Sequence, residues 1–432
     1  MQLKNIGIFA LLVLIIVTAT AIDGNFVSPA NVKTLIRDTS LYGLISIGVA
    51  MVIITGGIDL SIGSMVALCG VMLVQVIDVR YESSGERAAI VEVAADPGGP
   101  FARPAVRLDD PPAGLRDGDR LVYRGTAGET SLHVARALRV DEQIWVECRD
   151  SLHGLTAAAA AGAIPVDVQR IRYTPPLVAC AAVLAFAAAL GLIHGILVTR
   201  ARLQPFVVTL CGLLIYRGLA RVWTGDDQVG LMTALSEFKS RVTGAAFQIP
   251  APLIGKISGR ADDWTSVVWV DFPVTGILLA IVTILAWCFL NRTVWGRHLL
   301  ATGENELAAR YSGLPTRRLI TLAYVISGLL AGLAGILFTL EWNSVQPGST
   351  GNFYELYAIA AAVLGGCSLR GGRGAILGVI AGAAVMRCLY KAIVVLGIPQ
   401  EWEMVIIGAA LLSSVLLDET VRLYRSRVRR AL

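Results

Sequence analysis

Charge is what this chain has little of. Only 16% of its 432 residues are Asp, Glu, Lys or Arg, where a soluble domain carries about 25%. That shortage excludes a single large soluble domain. The apolar residues, 55% of the total with a mean hydropathy of +0.67, gather into long runs of the kind a bilayer takes up. Paired cysteines are missing too. Cys69, Cys180, Cys211, Cys288, Cys367 and Cys388 lie in or beside apolar runs, Cys148 lies in a polar stretch and is expected to be exposed, and no two have metal-ligand or redox spacing. They read as small hydrophobes. The four histidines are scattered and form no ligand cluster. A G-x-x-x-x-G-K-[ST] phosphate loop is absent, since Gly255-Lys256 is followed by Ile257, so the chain is not expected to hydrolyse ATP. No Ser/His/Asp or Cys/His constellation appears. No catalytic residue and no metal site are assigned, and the net charge of +5 gives no reason to expect nucleic acid as a partner.

What is present is a series of apolar runs. Ten read as membrane segments, at about 6–22, 39–55, 62–77, 176–198, 205–224, 272–290, 319–340, 356–367, 375–397 and 403–417. The fold class expected is a polytopic α-helical membrane protein of about ten transmembrane segments with a small β-rich soluble insert. Lys4, the apolar run to Val17 and Ala19-Thr20-Ala21 imitate a signal peptide, but the run from Ile6 to Ile22 is long enough to span, and it is read as a retained first helix. Three parts follow: 1–77 with the first segments, 78–175 as the insert, and 176–432 with the remaining segments, a cytoplasmic coupling loop at 291–318 and a basic C-terminal tail.

Within 41–77, the segment Gly56-Gly57-Ile58-Asp59-Leu60-Ser61-Ile62-Gly63-Ser64 interrupts the apolar run with a carboxylate and two hydroxyls. A charged group at that depth costs roughly 2.5–3.5 kcal/mol on insertion scales, so it faces protein or a water-filled path. The glycines point to bent or closely approached backbone. Segments two and three read as a broken pair of helices. Asp59 has no evident catalytic partner, and its expected roles are to bind exposed backbone at the helix break or to face a pore.

Arginines in short loops set the orientation. With the N-terminus in the cytoplasm, Arg200 and Arg202, then Arg292, Arg297, Arg310, Arg317 and Arg318, then Arg370 and Arg373, and the arginines of the tail all fall on the cytoplasmic side. Loops 23–38, 225–271, 341–355 and 398–402, poorer in positive charge, fall outside. Both termini are then cytoplasmic. The 78–175 stretch has no lysine, and Arg87–Ala95, Ala102–Leu108, Arg120–Arg124 and Ile144–Cys148 partly alternate between turn signals such as Asp96-Pro97-Gly98-Gly99. It reads as a small outward β domain. Its candidate roles are docking, assembly, or a tolerated decoration.

Two more polar islands stand out. GRHLLATGENELAARYSGLP at 296–315 carries Glu304, Asn305, Glu306, Ala308, Ala309 and Arg310 before Gly313 and Pro315 stop it. A short helix ending at glycine suits docking of a soluble partner, with a solvated connector as the bland alternative. YELYAIAAAVLGGCSLRGGRG at 354–374 opens on a helix-starting Glu355 and breaks at Gly365-Gly366 and Gly371-Gly372. It reads as a close helix-packing face, a gate or coupling element, or both.

GGIDLSIGS at 56–64, PFVVTLCGLLIYRGLARVWTG at 205–225, GRHLLATGENELAARYSGL at 296–314 and YELYAIAAAVLGGCSLRGGRGAILG at 354–378 occur in the order of a known family. Over 1–77 and 176–420 the chain resembles the membrane permease subunit of bacterial ABC importers of the ribose/xylose/galactose class. The family has only a short connection where 78–175 stands. The resemblance implies that Glu304 to Gly313 docks on an ATP-binding subunit, and that Gly56, Gly57, Asp59, Ser61 and Gly63 form the signature at the centre of the permease. It makes Gly365, Gly366 and Ser368 the second glycine-rich break. It implies a second permease copy, an extracytoplasmic solute-binding protein, the bacterial cytoplasmic (inner) membrane as location, and no cofactor in this chain, with ATP and Mg held by the partner. The solute is a monosaccharide or another small polar molecule such as an autoinducer, nucleoside or amino acid. A membrane sensor or enzyme built on the insert is the reading from another class. The residues that bind the solute are not assigned.

Overall fold

In the computed structural model, the residues described are 3–96, 100–110, 112, 115–125, 128–140, 143–152, 155–160, 162–231, 236–244, 246–250, 269–409 and 412. The chain divides into two compact units, one of 1–73, 180–230 and 237–432, the other of 74–179 with 231–236.

The helices of the first unit open with α1 (Leu3–Ile22), α2 (Pro29–Ile54) and α3 (Ile62–Ile77). The second unit contributes strands β1 (Arg80–Ala94), β2 (Ala105–Asp109), β3 (Arg120–Gly125), β4 (Gly128–Val140), β5 (Gln143–Cys148) and β6 (Ile164–Arg172), with a short α4 (Thr156–Ala160). The chain then continues through α5 (Pro176–Thr199), α6 (Pro205–Thr224), α7 (Val274–Arg292), α8 (Val294–Glu304), α9 (Glu306–Tyr311), α10 (Thr316–Trp342), α11 (Tyr354–Leu364) and α12 (Ile376–Val395). Among the described residues, α2, α5, α6, α7, α10 and α12 are long and apolar enough to cross a membrane, and Gly7–Ile22, α3 and α11 are shorter apolar helices. The tenth expected segment is helical over 403–409, and most of the rest of it, with the arginine-bearing tail, lies outside the described residues.

α2 is the central post. It is buried from Ser40 almost without interruption to Ile54 and packs on α7, α10, α11 and α12. It starts ten residues before the apolar edge at 39. Ser28 caps it, its Oγ accepting from the Asn31 N–H at 3.4 Å, and Pro29 fits the first turn. The charges that hid this start are paired across helices. Lys33 meets Asp271 at 3.0 Å, Arg37 meets Glu341 at 2.7 Å and Arg387 meets Asp38 at 3.0 Å. Lys33 and Ile54 are about 30 Å apart at 1.5 Å rise per residue, close to the thickness of a hydrocarbon core.

The second unit is a closed antiparallel barrel with strand order β1-β2-β5-β4-β3-β6. Register shifts in β1 between Ser83 and Arg87 and between Ile90 and Glu92 give the curvature that closure needs. Alternate residues such as Ile90, Val106, Leu121, Val134, Val146 and Val168 fill the inside. Buried Asp119 accepts from the Arg116 and Ile171 N–H groups at 2.9 Å each, tying the β3 approach to β6. Cys148 corrects an expectation. It is fully buried in the barrel core, and burial pushes its thiol up to about 12. The end of β5 turns it inward. The Thr174 N–H donates to the Ile77 carbonyl at 2.9 Å, so the chain leaves for the barrel and returns from it at neighbouring positions.

Candidate functional site

The break between α2 and α3 is built as its glycines suggest. α2 ends at Ile54, Gly56 takes a φ of +83°, and the backbone stays non-helical until Ile62. Non-helical backbone at membrane depth needs internal partners for its polar groups. The Val52 carbonyl accepts from the Thr55 and Gly57 N–H groups at 3.0 and 3.1 Å, and the Ile53 carbonyl accepts from the Gly56 N–H at 2.9 Å. Asp59, 1% exposed, serves the far side of the break. Its Oδ1 accepts from the Ser61 N–H at 3.0 Å and the Ser61 Oγ at 2.7 Å, and its Oδ2 accepts from Ser327 Oγ of α10 at 2.7 Å. A carboxylate also suits the N-terminal end of α3. Asp59 therefore binds exposed backbone at the break and links α3 to α10.

Beside it lies a buried polar cluster that the sequence did not single out. His194 Nε2 of α5 and Tyr216 Oη of α6 are 2.9 Å apart, and Thr209 Oγ1 donates to the Ile58 carbonyl at 3.1 Å. Tyr324 Oη points at Gly57 and has no hydrogen-bond partner among the described residues.

The remaining carbonyl at the end of α2, that of Ile54, accepts from the Gly372 N–H at 2.9 Å. This contact brings three sequence islands together. A Cβ on Gly303 would collide with the Ile54 carbonyl and the Gly372 nitrogen, and one on Gly371 would meet the Gly303 carbonyl and the Gly56 nitrogen. The end of α8, the first glycine break and the 371–372 turn are therefore in backbone contact. Gly365 and Gly378 likewise cross backbone to backbone, so packing explains Gly365, while Gly366 is exposed with a φ of +91°. Ser368 organises the turn: its carbonyl accepts from the Gly371 N–H at 2.9 Å and its Oγ from the Arg370 N–H at 3.3 Å. Gly63 sits against Gly351 and the Glu355 carboxylate.

The 296–313 island is two short helices. Thr293 caps α8 through the Gly296 N–H at 3.1 Å, and Asn305 caps α9 through the Ala308 N–H at 3.0 Å. Ala309 turns inward, whereas Glu304, Glu306, Ala308 and Arg310 are exposed together with Leu307 and Tyr311. Gly313 ends the island with a φ of +83° in open space. Glu304 lies 3.7 Å from Arg373, an exposed pair worth little.

At the opposite end of the unit is a cavity of about 370 Å³ between α3, α10, the start of α11 and the segments around Gln228 and Gln346. Apart from Tyr354, which opens the 354–374 island, none of its residues was singled out from the sequence. The segments that form it are held by the pairing of Val229–Gly230 with Ser344–Val345 and by Arg217, whose Nη1 donates to the carbonyls of Pro347 at 2.9 Å and Thr350 at 2.5 Å.

The family model described as "Branched-chain amino acid transport system / permease component" matches residues 125–415. The chain is 29% identical over 413 residues to the ribose import permease protein RbsC of Escherichia coli K12, covering 95% of this chain and 92% of that protein. It is 27% identical over 416 residues to RbsC of Bacillus subtilis 168, covering 96% and 93%. It is 35% identical over 245 residues to the autoinducer 2 import system permease protein LsrC of Escherichia coli K12/DH10B, covering 57% and 64%. No solved structure matches the chain.

Proposed function

The chain belongs to the permease-component family of that model, and from that premise we propose that it carries a monosaccharide or a similar neutral polar solute through the bacterial inner membrane, driven by ATP on a partner chain. It is a multi-pass transport subunit and not an enzyme. Two relatives that match along almost their whole length are named for ribose import, which favours a sugar over the amino acids of the family description.

The single observation behind the mechanism is the backbone contact of Gly303, Gly371 and Gly56 beneath the exposed α8–α9 face. An ATP-binding subunit, holding ATP and Mg, docks on Glu304, Asn305, Glu306, Ala308 and Arg310. Its movement reaches the Gly56–Ser64 break without passing through flexible side chains. Asp59 then carries the displacement to α10 through Ser327. The result is a switch between outward and inward access. The arginine-rich loops put this end in the cytoplasm with both termini, which leaves the cavity at the outer end, toward a solute-binding protein. A second permease copy completes the importer.

The test is uptake into vesicles reconstituted with the ATP-binding subunit and the binding protein. Replacing Glu304 and Glu306 with Arg is expected to abolish coupled ATPase activity and uptake while leaving the melting temperature of the permease unchanged. Coupling that persists in this variant sinks the docking assignment.

A further inference from the structure

The geometry points to the cavity at the outer end as a binding site for one neutral sugar ring, a station that the solute occupies on entering the permease. This rests on the reading of the chain as an importer of polar solutes and adds where and how the solute is held.

The cavity volume of about 370 Å³ falls at the lower end of the roughly 300–1,000 Å³ typical of small-molecule sites. Its walls have two chemistries. Phe338, Trp342 and Tyr354 supply aromatic surface, and the Phe338 and Trp342 rings stack on each other at 4.8 Å and 10°. Tyr354 stands 5.0 Å from Phe338 at an angle. Aromatic surface of this kind packs against the C–H face of a sugar ring, which is apolar although its rim is not. The polar wall is Gln228, Thr339, Ser344, Gln346 and Thr350. Amides and hydroxyls both donate and accept, as the hydroxyls of a sugar do.

The cavity is also informative for what it excludes. Among the described residues, none that lines it is Asp, Glu, Lys or Arg. An amino acid would bring a carboxylate and an ammonium, each costly to desolvate without an opposite charge. Arg217, the cation that organises this wall, already donates to two carbonyls of the 346–353 segment. It is a positioning residue. It fixes the segment that carries Gln346 and Thr350, while the pairing of Val229 with Val345 sets Gln228 near Gln346.

The test uses the complete importer in proteoliposomes, with tritiated D-ribose, D-xylose and D-galactose in turn and L-leucine as the charged comparison. Uptake and ATP hydrolysis are measured together for Gln346→Ala and Trp342→Ala, with Ser349→Ala as a control outside the lining. The expected result is a fall of about tenfold in sugar moved per ATP hydrolysed in both cavity variants, the effect of losing one buried contact. ATPase stimulated by the loaded binding protein should stay within about twofold of the parent, which also shows that the variants fold. An unchanged ratio in both variants overturns the cavity site and leaves the importer reading standing. Transport of leucine in place of the sugars by the unaltered protein overturns both.

Discussion

Around Ile54, where α2 ends, Gly303 and Gly371 press backbone segments together with no side chain between them, and Gly372 packs against Glu304. Around Trp342, beside the other end of α2, the chain instead presents rings, amides and hydroxyls to an open cavity. Both regions are loops at helix ends, and both are rich in small and polar residues. They differ in what a side chain would meet. At the first, a methyl group has nowhere to go, so displacement of one segment displaces the others. At the second, space is the point, and side-chain chemistry decides what enters. On the proposed reading, force transmission and solute recognition fall on opposite ends of one helix, about 30 Å apart by its rise.

The sharpest way to break this comparison is Gly303→Ala. Its Cβ would fall on the Ile54 carbonyl and 2.6 Å from the Gly372 nitrogen, both backbone atoms that do not swing aside. Overpacking of this kind costs about 1–3 kcal/mol. We expect a lowered melting temperature of the purified permease and loss of most uptake. A variant that melts and transports like the parent shows that the contact is looser than drawn, and the proposed route from α8 to the break goes with it.

Asp59 comes next. Asp59→Ala leaves the Ser61 N–H, Ser61 Oγ and Ser327 Oγ without their acceptor in a buried place, at about 1–3 kcal/mol for each donor stranded. Asp59→Asn keeps an oxygen for Ser61 and offers Ser327 an N–H that its hydroxyl oxygen accepts. Thermal melts and uptake on both variants separate shape from charge. The expectation is a large loss for alanine and a small one for asparagine. Equal losses would mean that the negative charge itself is required, and the link to α10 would need another account.

The sequence made some of this legible and hid the rest for physical reasons. α6 begins at a proline and ends at a glycine with φ +67°, so its edges, 205 and 224, could be read directly. α2 was misjudged by ten residues because Lys33, Arg37 and Asp38 look like a loop until their partners Asp271, Glu341 and Arg387 are brought across from other helices. In the barrel, β4 and β6 escaped notice because arginines such as Arg136, Arg139 and Arg170 interrupt their apolar alternation. Each glycine-rich island was visible on its own. Their meeting point was not, since Gly56 lies 247 residues before Gly303 and Gly371 a further 68 beyond it, and no pattern in one segment encodes contact with another. The cavity is hidden for the same reason: Gln228 and Gln346 become neighbours only when two short strands pair.

The mildest expected effect tests the other half of the comparison. Gly348 lies in the segment bordering the cavity, its φ is not positive, and the nearest atom to an added Cβ is Asp226 Oδ1 at 3.6 Å, an ordinary contact. Asp226 is itself held by Arg221 at 2.7 Å, which keeps its carboxyl below the usual range, so no buried charge is disturbed. Gly348→Ala should therefore change stability by no more than about 0.5 kcal/mol, the usual scale of a surface substitution, and should leave sugar uptake near the parent value. Melting temperature and initial uptake rate, measured beside Gly303→Ala in the same preparation, decide the matter. If the two alanines prove equally damaging, glycine is required at both ends for a shared reason such as chain flexibility, and the division into a tight transmitting end and an open receiving end fails.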